Sequence, residues 1–305
     1  MSQSHFIQMS RLGNYGRWAN SCIQYAFLHV YARRHDATVR TSRWAGNALL
    51  IGVDDMPSIP GLPCYHERLD ANQRPSPPVG PEALDLDFCG YAQFHTSWYR
   101  PDQAYVRDLL RPNEAVAERM APAVEKLRAL GETIVGLHLR RGDYGQSIFF
   151  LTPVSWYLRK LEEVWPTLKN PVLFVASEDR ALVHEFQAYR PETAESLGIV
   201  LGLERLSGYA YLHEDLRNPD PVQMDFYPDF HLLQQSDVML APNSTYSFLA
   251  AMLAPTLEQY WRAHLPTRGF QLEDPWDARF LHHDRVGDYP DVEGVAVRQN
   301  KYWGT

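Results

Sequence analysis

The stretch Thr133–Tyr144, TIVGLHLRRGDY, sets an apolar run against two adjacent arginines, a glycine and an aspartate. Arg140 and Arg141 offer planar forks of N–H donors that fit a carboxylate or a phosphate. Ile134, Val135, Leu137 and Leu139 are strand formers, so the arginines stand at the end of a buried strand, where open α/β sheets bind their ligands. A diphosphate is the first ligand to look for there. Gly142 gives the chain freedom to turn after the charge pair. The same residue types also make an exposed loop with a local ion pair, and residue type alone leaves both readings open.

Two further strand ends carry compatible polar groups. PVLFVA (171–176) is a continuous apolar run of the kind a doubly covered parallel strand shows, and it ends in Ser177, Glu178 and Asp179. Val238–Ala241 is followed by a hydroxyl-rich turn with Ser244, Thr245 and Ser247, and then by a small-residue helix. Helix starts present free N–H groups to anions. Capping alone also accounts for a serine and acids beside a helix start. A third candidate is the GNYGR loop, Gly13–Arg17, between a short strand and a helix; glycines there are equally an ordinary chain reversal. No GxxxxGK[ST] and no GxGxxG is present, which argues against a nucleoside triphosphatase or a dinucleotide enzyme.

The elements that must position these groups alternate along the chain. We expect strands over 5–10, 37–41, 48–53, 133–139, 171–176, 197–203 and 238–241. Helices are expected over 17–34, 113–130, 152–165, 180–189 and 247–253, with an amphipathic segment over 221–237. Prolines at 57, 60, 63, 75, 77, 78, 81 and 101 forbid long elements between 56 and 101. The aromatics there (Tyr65, Phe88, Tyr91, Phe94, Trp98, Tyr99) serve either a satellite core or a sugar-stacking surface. Residues 207–221 read as a flexible loop. From Trp261 onward no period is visible beyond a helix near 275–282 and a wrapping tail. Alternating strands and helices predict α/β layers with parallel sheets.

The 305 residues carry 29 Lys plus Arg against 37 Asp plus Glu, a formal net charge of -8. That balance argues against a nucleic-acid partner, and any anion site must be local. Cys22, Cys64 and Cys89 are an odd number without CxxC spacing, which reads as reduced thiols and a cytoplasmic setting. No stretch is apolar over the roughly 18 residues a spanning helix needs, so no transmembrane segment is expected. A peripheral contact with the inner face of a membrane stays open.

HLRRGDY (138–144) resembles the HxRRGDY signature of the alpha-1,2-fucosyltransferases, a family related to the alpha-1,6- and protein O-fucosyltransferases. GRWANSCIQYAF (16–27) is similar to that family's amino-terminal GRLGNQMFQYA pattern, and DFHLLQQSDVMLAPNSTYSFLAAML (229–253) to its carboxyl-terminal block. FVASED (174–179) matches a weaker motif. Trp18, Ala19 and Ser21 depart from the amino-terminal pattern and put acceptor choice in question. The resemblance implies a GT-B type fold of two Rossmann-like domains facing a cleft. The first, 1–131, would lie on the acceptor side; the second, 132–305, would bind the nucleotide sugar.

It further implies an inverting, metal-independent transfer of L-fucose from GDP-fucose to a glycan hydroxyl, in alpha-1,2 linkage to a galactoside. GDP-fucose would be donor substrate; no cofactor or metal is expected. Arg140 and Arg141 would lie on the diphosphate, Ser244 and Thr245 on the phosphates, and His138 near guanine or ribose. Asp229 would accept from the paired N–H donors of guanine. Asn20 and Gly16 would face the donor from the first domain, and Asp179 would orient an arginine or a substrate hydroxyl. Asp179, Glu178 and His138 are the candidates for a base. Two rival readings are a same-scaffold enzyme using another nucleotide sugar and a catalytically silent glycan- or nucleotide-binding member; an RGD adhesion signal at 141–143 is a poor third.

Overall fold

The computed structural model describes residues 5–53, 56–199, 226–289 and 291–292. The chain divides into two compact units. One is built from Met1–Ala117 and Trp276–Arg279, the other from Glu118–Leu201, Phe226–Pro275 and Phe280–Thr305. The loop expected over 207–221 and most of the strand expected over 197–203 lie outside the described residues.

In the first unit, β1 (Phe6–Met9), α1 (Trp18–Arg34) and β2 (Thr38–Thr41) form the expected βαβ motif, with β1 and β2 parallel from Phe6↔Thr38 to Met9↔Thr41. α1 is buried on nearly every side, as its apolar residues around the whole circumference require. The strand expected over 48–53 is corrected: the chain makes a single helical turn, α2 (Gly46–Leu49), and only Leu50 bridges to Pro112. A short apolar run cannot tell strand from helix by periodicity alone.

The proline-rich region yields β3 (Met56–Pro57), β4 (Cys64–His66), the hairpin of β5 (Arg68–Leu69) and β6 (Pro75–Ser76), and β7 (Asp87–Cys89), each two or three residues long. They complete a sheet of order β3-β2-β1-β7-β4 in which every pair is parallel. Most of the aromatics are core: Phe88, Phe94 and Tyr99 are at most 1% exposed, whereas Tyr91 is 43% exposed. Cys64 and Cys89 are free thiols whose sulfurs approach to 2.8 Å. α3 (Gln103–Leu109) closes the unit.

α4 (Glu114–Leu130) starts as the sequence predicts, with the Asn113 carboxamide oxygen accepting from the Val116 N–H at 3.0 Å. The second unit then runs β8 (Thr133–Leu139), α5 (Val154–Val164), β9 (Pro171–Ser177), a 3-10 helix (Arg180–Tyr189), α6 (Tyr227–Leu233), β10 (Val238–Ala241) and α7 (Thr245–Leu253). Two strands that the sequence hid follow, β11 (Gln259–His264) and β12 (Gly269–Glu273). The helix expected near 275–282 does not form.

The sheet order is β12-β11-β10-β8-β9, parallel except for β12 against β11. One face of β8 packs Val135, Leu137 and Leu139 on Tyr157 and Leu161 of α5. The other brings Gly136 so near Ser236 that a Cβ would sit 2.0 Å from its hydroxyl oxygen. Chain order reverses between β8 and β10. In an open α/β sheet that reversal opens a crevice at the carboxyl ends of the two strands. Arg140 and Arg141 follow β8, and the Pro242–Thr245 turn follows β10.

Candidate functional site

The two arginines after β8 have different surroundings. Arg140 is committed to the protein: its Nη2 lies 2.6 Å from Asp143 Oδ1 and its Nη1 3.4 Å from Glu178 Oε1, with the guanidinium 5.6 Å from the centre of the Tyr144 ring. Burial disfavours its charge, but Glu178 and Asp143 outweigh burial and hold its pKa above the ordinary arginine value. Arg141 is held by its backbone. Its N–H donates to Glu178 Oε1 at 2.8 Å, and its Nη1 donates to the Arg140 carbonyl at 3.1 Å. It is half-buried, and among the described residues its guanidinium has no carboxylate within ion-pair distance. One cation is neutralised in place; the other keeps most of its donors for a ligand.

Glu178, at the end of β9, therefore clamps the loop after β8. Its carboxylate also explains Gly142, whose φ is not in the left-handed region: a Cβ there would meet Glu178 Oε1 at 3.1 Å. Close approach, not turn freedom, is what this glycine supplies. Asp179 is placed otherwise than expected. Its Oδ1 accepts from the Ala181 N–H at 3.2 Å and caps the 3-10 helix, while its own N–H donates to Ser177 Oγ at 3.0 Å. The acid that orients arginine is its neighbour.

After the neighbouring strand β10, Ser244 caps α7, its Oγ accepting from the Tyr246 N–H at 3.3 Å. Thr245 is half-buried at the first helical position of α7, four residues after the end of β10. Ser247 is fully buried and its hydroxyl lies 3.5 Å from the Ser244 carbonyl, which removes it from the expected hydroxyl set. Asn243, which the sequence reading passed over, anchors the turn. Its Nδ2 donates to the carbonyls of Ile148 (3.0 Å) and His282 (2.9 Å), and its Oδ1 accepts from the His282 N–H at 2.8 Å. The Asn243 carbonyl in turn accepts from the Tyr144 hydroxyl at 3.0 Å. That bond ties the arginine loop to the hydroxyl turn, and burial pushes the Tyr144 pKa up to about 12, so the phenol remains a donor. Asparagine at the second position of a polar turn gave no signal, because its partners are backbone atoms far away in sequence.

His138 is 4% exposed, its ring 5.0 Å from that of Tyr246 on α7. Burial pushes its pKa down to about 4; Glu178 opposes this and Arg141 adds to it. The imidazole is neutral near pH 7, and its Nδ1 is buried without a hydrogen-bond partner. Asp229 lies in the first turn of α6, half-buried. In the first unit Gly16, with φ +78°, is forced to be glycine: a Cβ would overlap the Asn20 carboxamide at 2.1 Å. Asn20 Oδ1 accepts from Gln93 Nε2 at 2.7 Å. At that unit's own strand reversal, between β1 and β7, Asp87 accepts from both the N–H (2.8 Å) and the hydroxyl (2.5 Å) of Ser10.

No family model matches the sequence, and no curated protein does. Solved structures do match. The NodZ alpha-1,6-fucosyltransferase soaked with GDP-fucose aligns over 89% of this chain and 99% of its own at a TM-score of 0.54 and 13% identity. Fucosyltransferase NodZ from Bradyrhizobium aligns over 90% and 100%, at 0.55 and 12%. A mutant of Arabidopsis thaliana FUT1 in complex with GDP aligns over 89% and 74%, at 0.54 and 12%. The fold is thus α/β with parallel sheets, of the GT-B type that these fucosyltransferases share. Among the described residues, no helix is long and apolar enough to cross a membrane.

Proposed function

We propose that the chain is a fucosyltransferase that takes L-fucose from GDP-fucose and places it on a glycan hydroxyl with inversion, in alpha-1,2 linkage to a galactoside. The observation that carries this reading is the guanidinium of Arg141, which follows β8 and has no carboxylate partner among the described residues, in a sheet whose neighbouring strand β10 leads into the hydroxyl-bearing start of α7. The fold neighbours solved after soaking with GDP-fucose or in complex with GDP support the choice of donor.

In this reading the α7 amino terminus and Thr245 cradle the diphosphate, and Arg141 meets the β-phosphate, where negative charge grows as the glycosidic bond breaks. A donor aimed at developing charge acts mostly in the transition state, which is where it accelerates the reaction. Arg140 holds the loop in shape through Asp143 and Glu178. His138 offers its neutral ring to a ribose or phosphate oxygen, and Asp229 accepts from guanine. The acceptor hydroxyl attacks the anomeric carbon from the face opposite GDP. The arginine charge does the work a divalent cation does in other transferases, so transfer is metal-independent. The protein is expected to act in the cytoplasm, with GDP-fucose and a glycan as its partners.

The test is transfer itself. Purified protein is incubated with GDP-fucose and a panel of galactoside-terminated oligosaccharides, and the products are read by mass spectrometry and by NMR for linkage and anomeric configuration. An alpha-1,2-fucoside is the expected product; another linkage would sink the alpha-1,2 assignment. Transfer from a different nucleotide sugar, or none from GDP-fucose, would remove the donor assignment.

A further inference from the structure

Where β11 ends in the second unit, His264, His282 and Asp284 come together, each half-buried, with one ligand atom from each lying within 4.8 Å of the others. The hydrogen bonds around the two imidazoles fix where their protons sit. His282 Nε2 lies 2.6 Å from Glu273 Oε1, and the other oxygen of Glu273 lies 2.6 Å from Nη2 of the buried Arg262. A carboxylate held by arginine accepts and does not donate, so Nε2 carries the proton and Nδ1 keeps its lone pair. Nδ1 is buried and has no hydrogen-bond partner. At His264, Nδ1 lies 3.2 Å from Thr267 Oγ1, and that hydroxyl donates its own hydrogen to the His264 carbonyl at 3.3 Å. Thr267 must then accept, which puts the His264 proton on Nδ1 and leaves the lone pair on Nε2. Each imidazole thus keeps one lone pair in a cluster where one ligand atom of each ring and of the Asp284 carboxylate lie within 4.8 Å of one another.

We propose that His264 Nε2, His282 Nδ1 and the Asp284 carboxylate bind a zinc-class transition-metal dication, with Glu273 as the outer acceptor that orients His282. A histidine that gives its second N–H to a carboxylate is the usual arrangement at such ions. Two imidazoles with one carboxylate favour Zn2+, Co2+ or Ni2+ over Mg2+ and Ca2+, which take oxygen ligands. A four-coordinate ion with bonds of about 2.0–2.1 Å holds its ligands roughly 3.3 Å apart, so side-chain torsions would draw the three groups together and a water would supply the fourth ligand. The ion is a clamp and stands apart from the transfer chemistry. It joins the end of β11 to the segment around His282, whose backbone holds Asn243 and through it the turn before α7.

Untagged protein, stripped with a chelator and desalted, is titrated with Co2+ and followed by visible absorption, and then with Zn2+ by calorimetry. The proposal expects one ion per chain, a four-coordinate cobalt spectrum that zinc abolishes, a higher melting temperature with zinc, and no effect of Mg2+. Asp284→Asn, at a half-exposed position that leaves the fold intact, is expected to weaken binding at least tenfold. The double variant Cys64→Ser, Cys89→Ser is expected to bind as the parent does. Absence of stoichiometric cobalt or zinc binding overturns the proposal. So does binding that survives Asp284→Asn unchanged, or that disappears in the cysteine variant.

Discussion

Two adjacent arginines with the same charge have different tasks because their surroundings differ. Arg140 compensates two carboxylates. Arg140→Met would strand both and is expected to cost about 1–3 kcal/mol in urea unfolding, whereas Arg141→Met should stay within about 0.5 kcal/mol of the parent. Arg141→Lys keeps the charge but loses the fork, so kcat and kcat/KM for fucosyl transfer should fall together by about a hundredfold or more, with a smaller change in GDP affinity. Steady-state kinetics on a variant shown to be folded by circular dichroism checks this, and a near-normal kcat would make the charge structural.

His138 yields a prediction of another kind. Its pKa is pushed down to about 4 in the folded state, against an ordinary 6.5, so the unfolded chain binds the proton more readily between those values. The neutral buried ring contributes stability that is complete above about pH 6.5 and is lost as pH falls toward 4, of the order of 3 kcal/mol. His231 on α6, also depressed to about 4 by burial, acts in the same direction. Urea midpoints measured from pH 7.5 to 4.5 should fall for the parent and fall less for His138→Gln. An equal slope in both would contradict the buried, neutral imidazole.

At the scale of elements, β8, β9 and β10 were legible because parallel strands covered on both faces are continuous apolar runs, and the charge that follows them marks their ends. β11 was not legible for a physical reason. Its sequence QYWRAH places Arg262, 1% exposed, inside the strand, where Glu273 pairs with Nη2 and the Phe280 carbonyl accepts from Nη1. A buried ion pair reads as a polar break until its partner is known. That Glu178 and not Asp179 reaches the arginine loop was hidden for a similar reason: either acid caps a helix on paper, and only the path of β9 decides which one reaches that loop. The contact between β8 and the start of β10 is testable. Gly136→Ala drives a methyl into Ser236 and should cost about 1–3 kcal/mol, and Ser236→Gly in the same chain should recover most of it. Additive losses in a double-mutant cycle would contradict that packing.

At the scale of the molecule, both units carry a parallel sheet, and the sequence foretold that from the alternation of elements. The last part of the chain was opaque because it serves both units: Trp276–Arg279 belongs with the first, and the residues on either side belong with the second. A segment that leaves its unit for four residues and then returns has no steady period to read. The central claim is a GDP-specific diphosphate site in the second unit, built on Arg141, the α7 amino terminus and Asp229. Its most direct test is the melting temperature of the protein with GDP, GDP-fucose, UDP and ADP, each at saturating and equal concentration. At about a hundred times the dissociation constant, binding adds roughly 2.7 kcal/mol, so GDP and GDP-fucose should raise the midpoint by several degrees while UDP and ADP leave it in place. Equal shifts with all four nucleotides, or no shift with GDP, would contradict the account.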